Sequence, residues 1–150
     1  MEHDQSLNRL AFSATVHCLS GCATGEVLGM VIGNAADLSA GVTVAISIAL
    51  AFFFGYLFTS VPLLRSGMAL SAVIPLALAS DTISIAIMEI VDNAILLLIP
   101  GAMDAGLDSI GFYAALTFAL IVAGAAAFPI NRWLISRGKG HAVVHQHHAH

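Results

Sequence analysis

The sequence predicts an all-α polytopic membrane protein: four transmembrane helices in a small bundle, with the third helix long and kinked near Pro75. Of its 150 residues, 59% are hydrophobic and only 9% are charged, and the mean hydropathy is +0.93. Soluble domains carry about 25% charged residues, so this chain has too few to cover a water-facing surface. The apolar residues also fall in long runs separated by short polar turns.

The first two apolar runs each have the length of one membrane span. Residues 1–9 are predicted to be an N-terminus that is not cleaved as a signal, because they contain acidic residues and lack a basic cluster, and cleavage after a small residue is the less favoured alternative. The distribution of basic residues, given below, places residues 1–9 in the cytoplasm. Span one is predicted at residues 10–32 and span two at residues 42–61, with residues 62–67 closing it. About 20 apolar residues are enough to cross a bilayer core, so each run fits one helix.

The third apolar run, residues 68–99, is unusually long. A straight helix of this length would measure about 48 Å, against a bilayer core of about 30 Å. The run is too long for one upright helix and too short for two. Because Pro75 lies inside it, a kink or break is predicted between Pro75 and Asp81.

The chain is predicted to end with a fourth span and a polar tail. Span four covers residues 110–130, and the transmembrane domain as a whole covers residues 10–131. Residues 132–150 form a basic and then histidine-rich cytoplasmic tail. Histidine-rich tracts bind metals loosely, and a disordered, weakly adhesive end is the favoured interpretation. The tail histidines are His141, His145, His147, His148 and His150.

The basic residues predict the orientation of the chain. With four spans, all of them fall on one side: before span one, between spans two and three, and after span four. The positive-inside rule then places both termini in the cytoplasm and the protein in the plasma (inner) membrane. The loops on the other side contain Asp37, Asp104 and Asp108. The basic residues are Arg9, Arg65, Arg132, Arg137 and Lys139.

Span one carries two neighbouring rows of residues at spacing i, i+4. One row contains Cys18, Cys22, Glu26 and Met30, with His17 beside it. The other row consists of small residues that would let a second helix approach closely, either span three or another copy of the chain in a homo-oligomer. These small residues are Gly21, Gly25, Gly29 and Gly33.

Span three carries an acidic stripe made of Asp81, Glu89 and Asp92, followed by Asn93. An ionisable residue near the bilayer centre costs about 2.5–3.5 kcal/mol on insertion scales, so this face should point into the bundle. Asp81 and Asn93 are candidates for a proton or ion relay. Counting residues from the start of each span places Cys22 level with Asp81. The polar faces of spans one and three are therefore predicted to meet.

The same count places Met30 level with Met88. The thiols, thioethers, carboxyls and imidazole on the facing sides of spans one and three together predict a metal site. Thiols and thioethers favour Cu(I), whereas Cys and His suit Zn(II), so copper is favoured before zinc. The predicted function is binding or transport of a soft transition-metal ion. The candidate ligands are His17, Cys18, Cys22, Glu26, Met30, Met88, Glu89 and Asp92.

Each of these residues also has a structural interpretation. A single buried cysteine is usually a small hydrophobe, both methionines alone would be packing residues, and His17 alone would be a satisfied buried histidine. For Cys18 and Cys22 together, structure and function are evenly balanced. For the buried acids a functional role is favoured, because carboxyl groups with no basic residue in any span suit proton exchange. They also suit cation entry through an outer mouth lined by Glu89, Asp92, Asp104 and Asp108.

Two other functions remain open. Cys18 and Cys22 could cycle between dithiol and disulfide, although residues four apart on a rigid helix direct their side chains poorly for that bond. The glycine face could instead dock partner spans in an assembly subunit. No enzyme motif is present, so a non-enzyme is favoured. Basic residues confined to one membrane flank fit the lipid bilayer as partner and form no nucleic-acid surface.

Two segments resemble a known family. The segment from His17 to Met30, with its His-Cys-x-x-Gly-Cys core, and the segment from Met88 to Asn93 are similar to a prokaryotic integral-membrane family called domain of unknown function 4396. The resemblance extends from about Phe12 to about Arg137. It implies a small helical membrane domain and carries no reaction or ligand to transfer.

Overall fold

The computed structural model describes residues 2–102 and 104–137, which form four α-helices and, within those ranges, no strand. The helices are α1 (Glu2–Ala35), α2 (Ala40–Arg65), α3 (Leu70–Leu98) and α4 (Ile110–Ser136). Each is long and apolar enough to cross a membrane. The predicted all-α class with four spans is confirmed. The histidine-rich tail lies outside the described residues.

The helices form a four-membered ring in chain order. Each helix contacts the next one, and α4 returns to contact α1. Helices α1 and α3 also touch across the diagonal of the ring, whereas α2 and α4 do not meet within the described ranges. The centre of the bundle is therefore made mainly by the facing sides of α1 and α3.

The helix ends differ from the predicted span ends, because helix and membrane span are different quantities. Helix α1 starts at Glu2 instead of Leu10, since polar residues at its start still form helix where Arg132 binds Asp4 and Asn8. Helix α2 continues through Pro62 to Arg65, so residues 62–67 do not form the predicted closing turn.

Helices α3 and α4 likewise contain a proline. Helix α4 passes through Pro129 and extends to Ser136. Helix α3 is continuous over 29 residues with Pro75 inside it, so no break occurs between Pro75 and Asp81. A proline removes one backbone hydrogen-bond donor, and in a long helix the hydrogen bonds on either side of it keep the chain helical. A bend of the helix axis near Pro75 stays a prediction.

The two ends of the bundle carry opposite charge. At one end, the Arg132 guanidinium forms an ion pair with Asp4 at 2.8 Å and donates to the Asn8 amide oxygen at 2.6 Å. Arg65, at the end of α2, and Arg137, whose guanidinium lies 5.2 Å from the Trp133 ring centre, belong to the same end. The opposite end has the acidic loops. Which end faces the cytoplasm stays a prediction.

The glycine row of α1 packs against α2. A side chain at Gly21 would meet the backbone of Gly55, and one at Gly25 would meet the backbone of Ala51. Further along, Gly33 faces Thr43. The close approach predicted between α1 and α3 therefore occurs between α1 and α2. A homo-oligomer through this face would need it exposed, whereas α2 of the same chain covers it.

Candidate functional site: a polar column in the bundle

A column of buried polar side chains runs along the diagonal contact between α1 and α3. We call it the polar column. Its members are at most 4% exposed. The prediction that the polar faces of spans one and three meet is confirmed, since these side chains contact one another. The column consists of Cys18, Cys22 and Glu26 of α1 and of Asp81, Ser84, Glu89 and Asp92 of α3.

The lowest layer of the column, nearest the basic end, joins Cys18 to α3. Its thiol lies against the Ser84 hydroxyl and close to the Asp81 carboxyl. Asp81 and Ser84 are completely buried. A thiol, a hydroxyl and a carboxyl thus share one dry layer, and each can donate or accept a proton.

The middle layer joins Cys22 to Glu89. The Cys22 thiol lies against the Glu89 carboxyl and is close to both Cys18 and Glu26. Asn93 donates from its side-chain amide to the Glu89 backbone oxygen at 2.9 Å and to the carboxyl Oε2 at 3.4 Å. Asn93 therefore holds the Glu89 carboxyl in place from the half-buried side.

The upper layer joins two carboxyl groups, Glu26 of α1 and Asp92 of α3. The two groups approach closely enough to interact, and Glu89 lies near them. None of their four oxygens makes a hydrogen bond of ordinary geometry within the described part of the chain. Two carboxyl groups held together away from water form an arrangement that a proton or a cation must stabilise.

The vertical register differs from the predicted one by about two turns. Cys18 lies against Ser84, Cys22 against Glu89 and Glu26 against Asp92, so Asp81 lies about two turns below Cys22. The count assumed that spans one and three begin at the same depth. The first turn of α3 is instead level with the first turn of α1, and α1 begins eight residues before Leu10.

The other predicted ligands fall in different places. Met88 packs with Cys18 and Cys22 in one buried cluster. Met30 packs with Leu96 and Phe112 in a separate cluster nearer the acidic end, so it is not level with Met88. His17 lies on the α2 side, with its ring edge-on to Phe58 at a centroid separation of 6.2 Å. The structure therefore does not gather all eight predicted ligands.

No group of three or more His, Cys, Asp and Glu side chains in residues 2–102 and 104–137 is arranged to hold a metal ion. The thiols and carboxyls of the column are stacked along the helix axes instead of converging on one point. Their repeat follows the helix, since each turn advances about 5.4 Å. Such a stack suits stepwise transfer better than a single coordination sphere.

A pocket of about 260 Å³ opens at the acidic end, between the α1–α2 turn and the α3–α4 loop. Asp37 and Asp104 line it together with Met30, which lies one helical turn beyond Glu26. This pocket corresponds to the predicted acidic mouth. Its lining differs from the prediction, because Glu89 and Asp92 are buried beneath and Asp37 takes part.

Two buried polar features were not predicted from the sequence. Asn131 of α4 donates to the Thr15 hydroxyl at 3.0 Å, and both residues are buried. Thr59 of α2 is buried at 1% exposure near the lower layer. A lone Thr or Asn in an apolar run resembles an ordinary membrane-helix residue, and only tertiary packing distinguishes it. Asn131 directly precedes Arg132 at the end of the fourth apolar run, where no periodic polar pattern marks it.

The sequence matches the family described as "Domain of unknown function (DUF4396)" over residues 7–140. No curated protein and no solved structure matches the chain.

Proposed function

This chain belongs to the DUF4396 family, and we propose that it is an integral membrane protein that takes up and releases protons through its polar column, coupled to the movement of a cation. The observation that carries the proposal is the upper layer, where the Glu26 and Asp92 carboxyl groups face each other in the bundle core.

The charge balance of the core supports proton exchange. No Lys or Arg lies between Arg9 and Arg65 or between Arg65 and Arg132. At short separation in a low dielectric, two negative carboxylates repel strongly, so the pair must bind a proton or a cation. Ionisable residues that face the interior of a membrane bundle typically mark proton or ion pathways.

The arrangement of the layers supports stepwise transfer. From Cys18 to Glu26 the column rises about 12 Å, and every turn of α1 along it presents a proton-carrying group. The acidic pocket lies one turn further on, where its carboxylates would attract cations from solution. The column thus has an acidic mouth at one end and continues through the thiol layers toward the other.

Flux through purified protein in lipid vesicles tests the proposal. With a pH-sensitive dye trapped inside, an outward gradient of Na⁺ or K⁺, tested in parallel, should drive proton entry in wild-type vesicles, because proton movement is proposed to be coupled to that of a cation. Asp92→Asn and Glu26→Gln should reduce the rate to that of protein-free vesicles. The matched control is Asp4→Asn, an exposed acid outside the column and the acidic pocket, which should retain most of the flux. Equal rates in Asp92→Asn and wild-type vesicles would refute the proposal.

Labelling with dicyclohexylcarbodiimide gives an independent measurement, because this reagent modifies protonated carboxyl groups in apolar surroundings. Mass spectrometry should locate the adduct on Glu26 or Asp92. Labelling should be faster in acidic than in alkaline buffer. Asp4 and Asp37, which are exposed, should remain unmodified. Modification of those exposed acids alone would contradict the proposal.

A soft transition-metal ion, copper before zinc, is the second candidate for the cargo. It is favoured by the buried cluster that holds Cys18, Cys22 and Met88 together, since thiols and thioethers select soft ions. Elemental analysis of the purified protein should then show copper or zinc that is lost in the Cys18→Ser/Cys22→Ser double variant. A control with alanine in place of the five tail histidines separates loose binding by the tail. Unchanged metal content in the double variant excludes this cargo.

Thiol redox chemistry has weaker support. Cys18 and Cys22 are both free thiols, and α1 is continuous through Gly21, where unwinding would be needed to bring the sulfurs together. The assembly role is also weakened, because α2 already covers the glycine face. A mass-spectrometric thiol count on the purified protein separates redox cycling from metal binding.

A further inference from the structure

Three helices bring hydroxyl and carboxyl groups to one level near the basic end of the polar column. Gly21 of α1 lies against Gly55 of α2, so Thr59, one turn further along α2, is level with the turn of α1 that carries Cys18. The Tyr56 hydroxyl is hydrogen-bonded to the Thr82 hydroxyl of α3 at 2.9 Å. Gly55 also faces Ile85 of α3, so Thr59, one turn nearer the basic end, is level with Asp81.

Two hydroxyl groups of this layer behave unlike the others in the bundle. Thr59 is 1% exposed and Ser84 is fully buried. Neither hydroxyl oxygen has an oxygen or nitrogen partner within the described residues, although the Cys18 thiol lies beside Ser84. A buried hydroxyl without such a partner destabilises the fold, because it loses its hydrogen bonds to water and gains none inside the protein.

Helical hydroxyls usually avoid this cost by bonding to the carbonyl one turn earlier. Thr15, Thr24 and Thr82 each do so, at 2.6–2.8 Å. Thr59 and Ser84 have the same option and do not use it. These two buried oxygens are therefore available to a ligand in the interior of the bundle.

Another oxygen lies in the same turn of α2. Pro62 is inside the helix and has no amide hydrogen, so the Phe58 carbonyl lacks its normal intrahelical donor. Phe58 directly precedes Thr59. With the Asp81 carboxyl opposite, the layer offers hydroxyl, carbonyl and carboxyl oxygens, the hard ligands that alkali and alkaline-earth cations prefer.

We propose that Thr59, Asp81 and Ser84 form a binding site for Na⁺. This proposal rests on the proposed function and deepens it by naming the cation that the column exchanges against protons. One carboxylate balances one positive charge, which fits a monovalent ion. Calcium usually takes 6–8 oxygen ligands with several carboxylates, and this layer has only one carboxylate. Cys18, whose thiol lies beside Ser84, is a soft donor and is not counted among the Na⁺ ligands.

Thermal unfolding of the purified protein in detergent tests the site. The midpoint should rise with the logarithm of Na⁺ concentration, because a ligand that binds only the folded state stabilises it by mass action. Choline chloride at equal ionic strength should produce no rise. Thr59→Val and Ser84→Ala should each abolish the Na⁺-dependent rise. The same rise with choline, or an unchanged Na⁺ response in Thr59→Val, would overturn the proposal.

Two further variants guard against misfolding and non-specific effects. Thr59→Ser keeps the hydroxyl and should keep the Na⁺ response. Thr43→Val is the matched control on the same helix, since the Thr43 hydroxyl donates to the Ser39 carbonyl at 3.1 Å and lies at the acidic end. It too should keep the response. Loss of the response in Thr59→Ser would count against a hydroxyl ligand.

Carbodiimide labelling separates the Na⁺ site from the proposed function. Na⁺ should protect Asp81 from modification and leave labelling of Asp92 unchanged. If the Na⁺ effects appear and no proton flux is found, the proposed exchange fails and the site stands. If proton flux depends on Asp92 and Na⁺ protects nothing, the Na⁺ site fails and proton uptake stands.

Discussion

Gly25 of α1 lies directly against the backbone of Ala51 in α2, so closely that a β-carbon at position 25 would overlap it. The contact is backbone to backbone, and no flexible side chain can move aside. Small residues at such positions are the usual device by which membrane helices approach closely, since packing replaces the hydrophobic effect inside lipid.

Gly25→Ala should therefore destabilise the protein. Overpacking a tight contact costs typically about 1–3 kcal/mol, and here the obstacle is backbone, so we expect the upper part of that range. The measurement is the thermal midpoint in detergent, followed by size-exclusion chromatography. Gly41→Ala is the matched control, because a β-carbon there meets nothing within 4 Å. Equal midpoints for the two variants would contradict the packing.

Loss of the hydrogen bond between Asn131 and Thr15 should lower the free energy of unfolding by different amounts, depending on which of the two residues is replaced. Thr15→Val strands the buried Asn131 amide and should cost about 1–3 kcal/mol. Asn131→Leu leaves the Thr15 hydroxyl donating to the Ala11 carbonyl at 2.8 Å, so it should cost less. The double variant should be less destabilised than the sum of the two. Strict additivity in thermal unfolding would exclude a direct bond.

The ion pair between Arg132 and Asp4 should contribute little. The two side chains are 40% and 73% exposed, and exposed pairs contribute at most about 1 kcal/mol. Asp4→Asn should lower the thermal midpoint only slightly at low salt, and high salt should remove the difference. Arg132→Gln should cost more, because it also loses the bond to Asn8. A large, salt-independent effect of Asp4→Asn would contradict this assignment.

Asp92→Asn should leave the stability unchanged or increase it by up to about 2 kcal/mol while it abolishes proton flux. The substitution removes a carboxyl that faces another carboxyl with no basic partner, and neutral replacements of buried charges are often stabilising. Sites built for function commonly reduce stability in this way. Thermal unfolding of the variant and wild type at one pH provides the measurement. A strong loss of stability would indicate a structural role for Asp92.

The fold followed from the sequence because composition and run length decide membrane helices. A span needs little more than about 20 apolar residues, and the four runs showed them. Helix ends were harder to predict, since α1 begins within residues 1–9 and α2 continues through Pro62. Those ends depend on contacts such as Arg132 with Asp4, which lie more than a hundred residues apart in the chain.

For the site, the sequence could predict only the features that are set within a single helix. The acids at 81, 89 and 92 share one face of α3 by helical spacing, and the thiols share a face of α1. Which turn meets which depends on how far each helix extends, and the predicted register was wrong by about two turns. The partner of the glycine row was also undetermined, because a small face fits any neighbour. Thr59 became visible only once α2 was placed.

The carboxyls of α3 and the thiols of α1 belong to different helical hairpins. Helices α1 and α2 are joined by a short turn and held by the glycine contacts, so they can enter the bilayer as one unit. Until the second hairpin docks, Asp81, Glu89 and Asp92 would face acyl chains without Cys18, Cys22 and Glu26 opposite them. The polar column therefore forms only when the two hairpins pack together, and a nascent chain that stops after α2 would lack it.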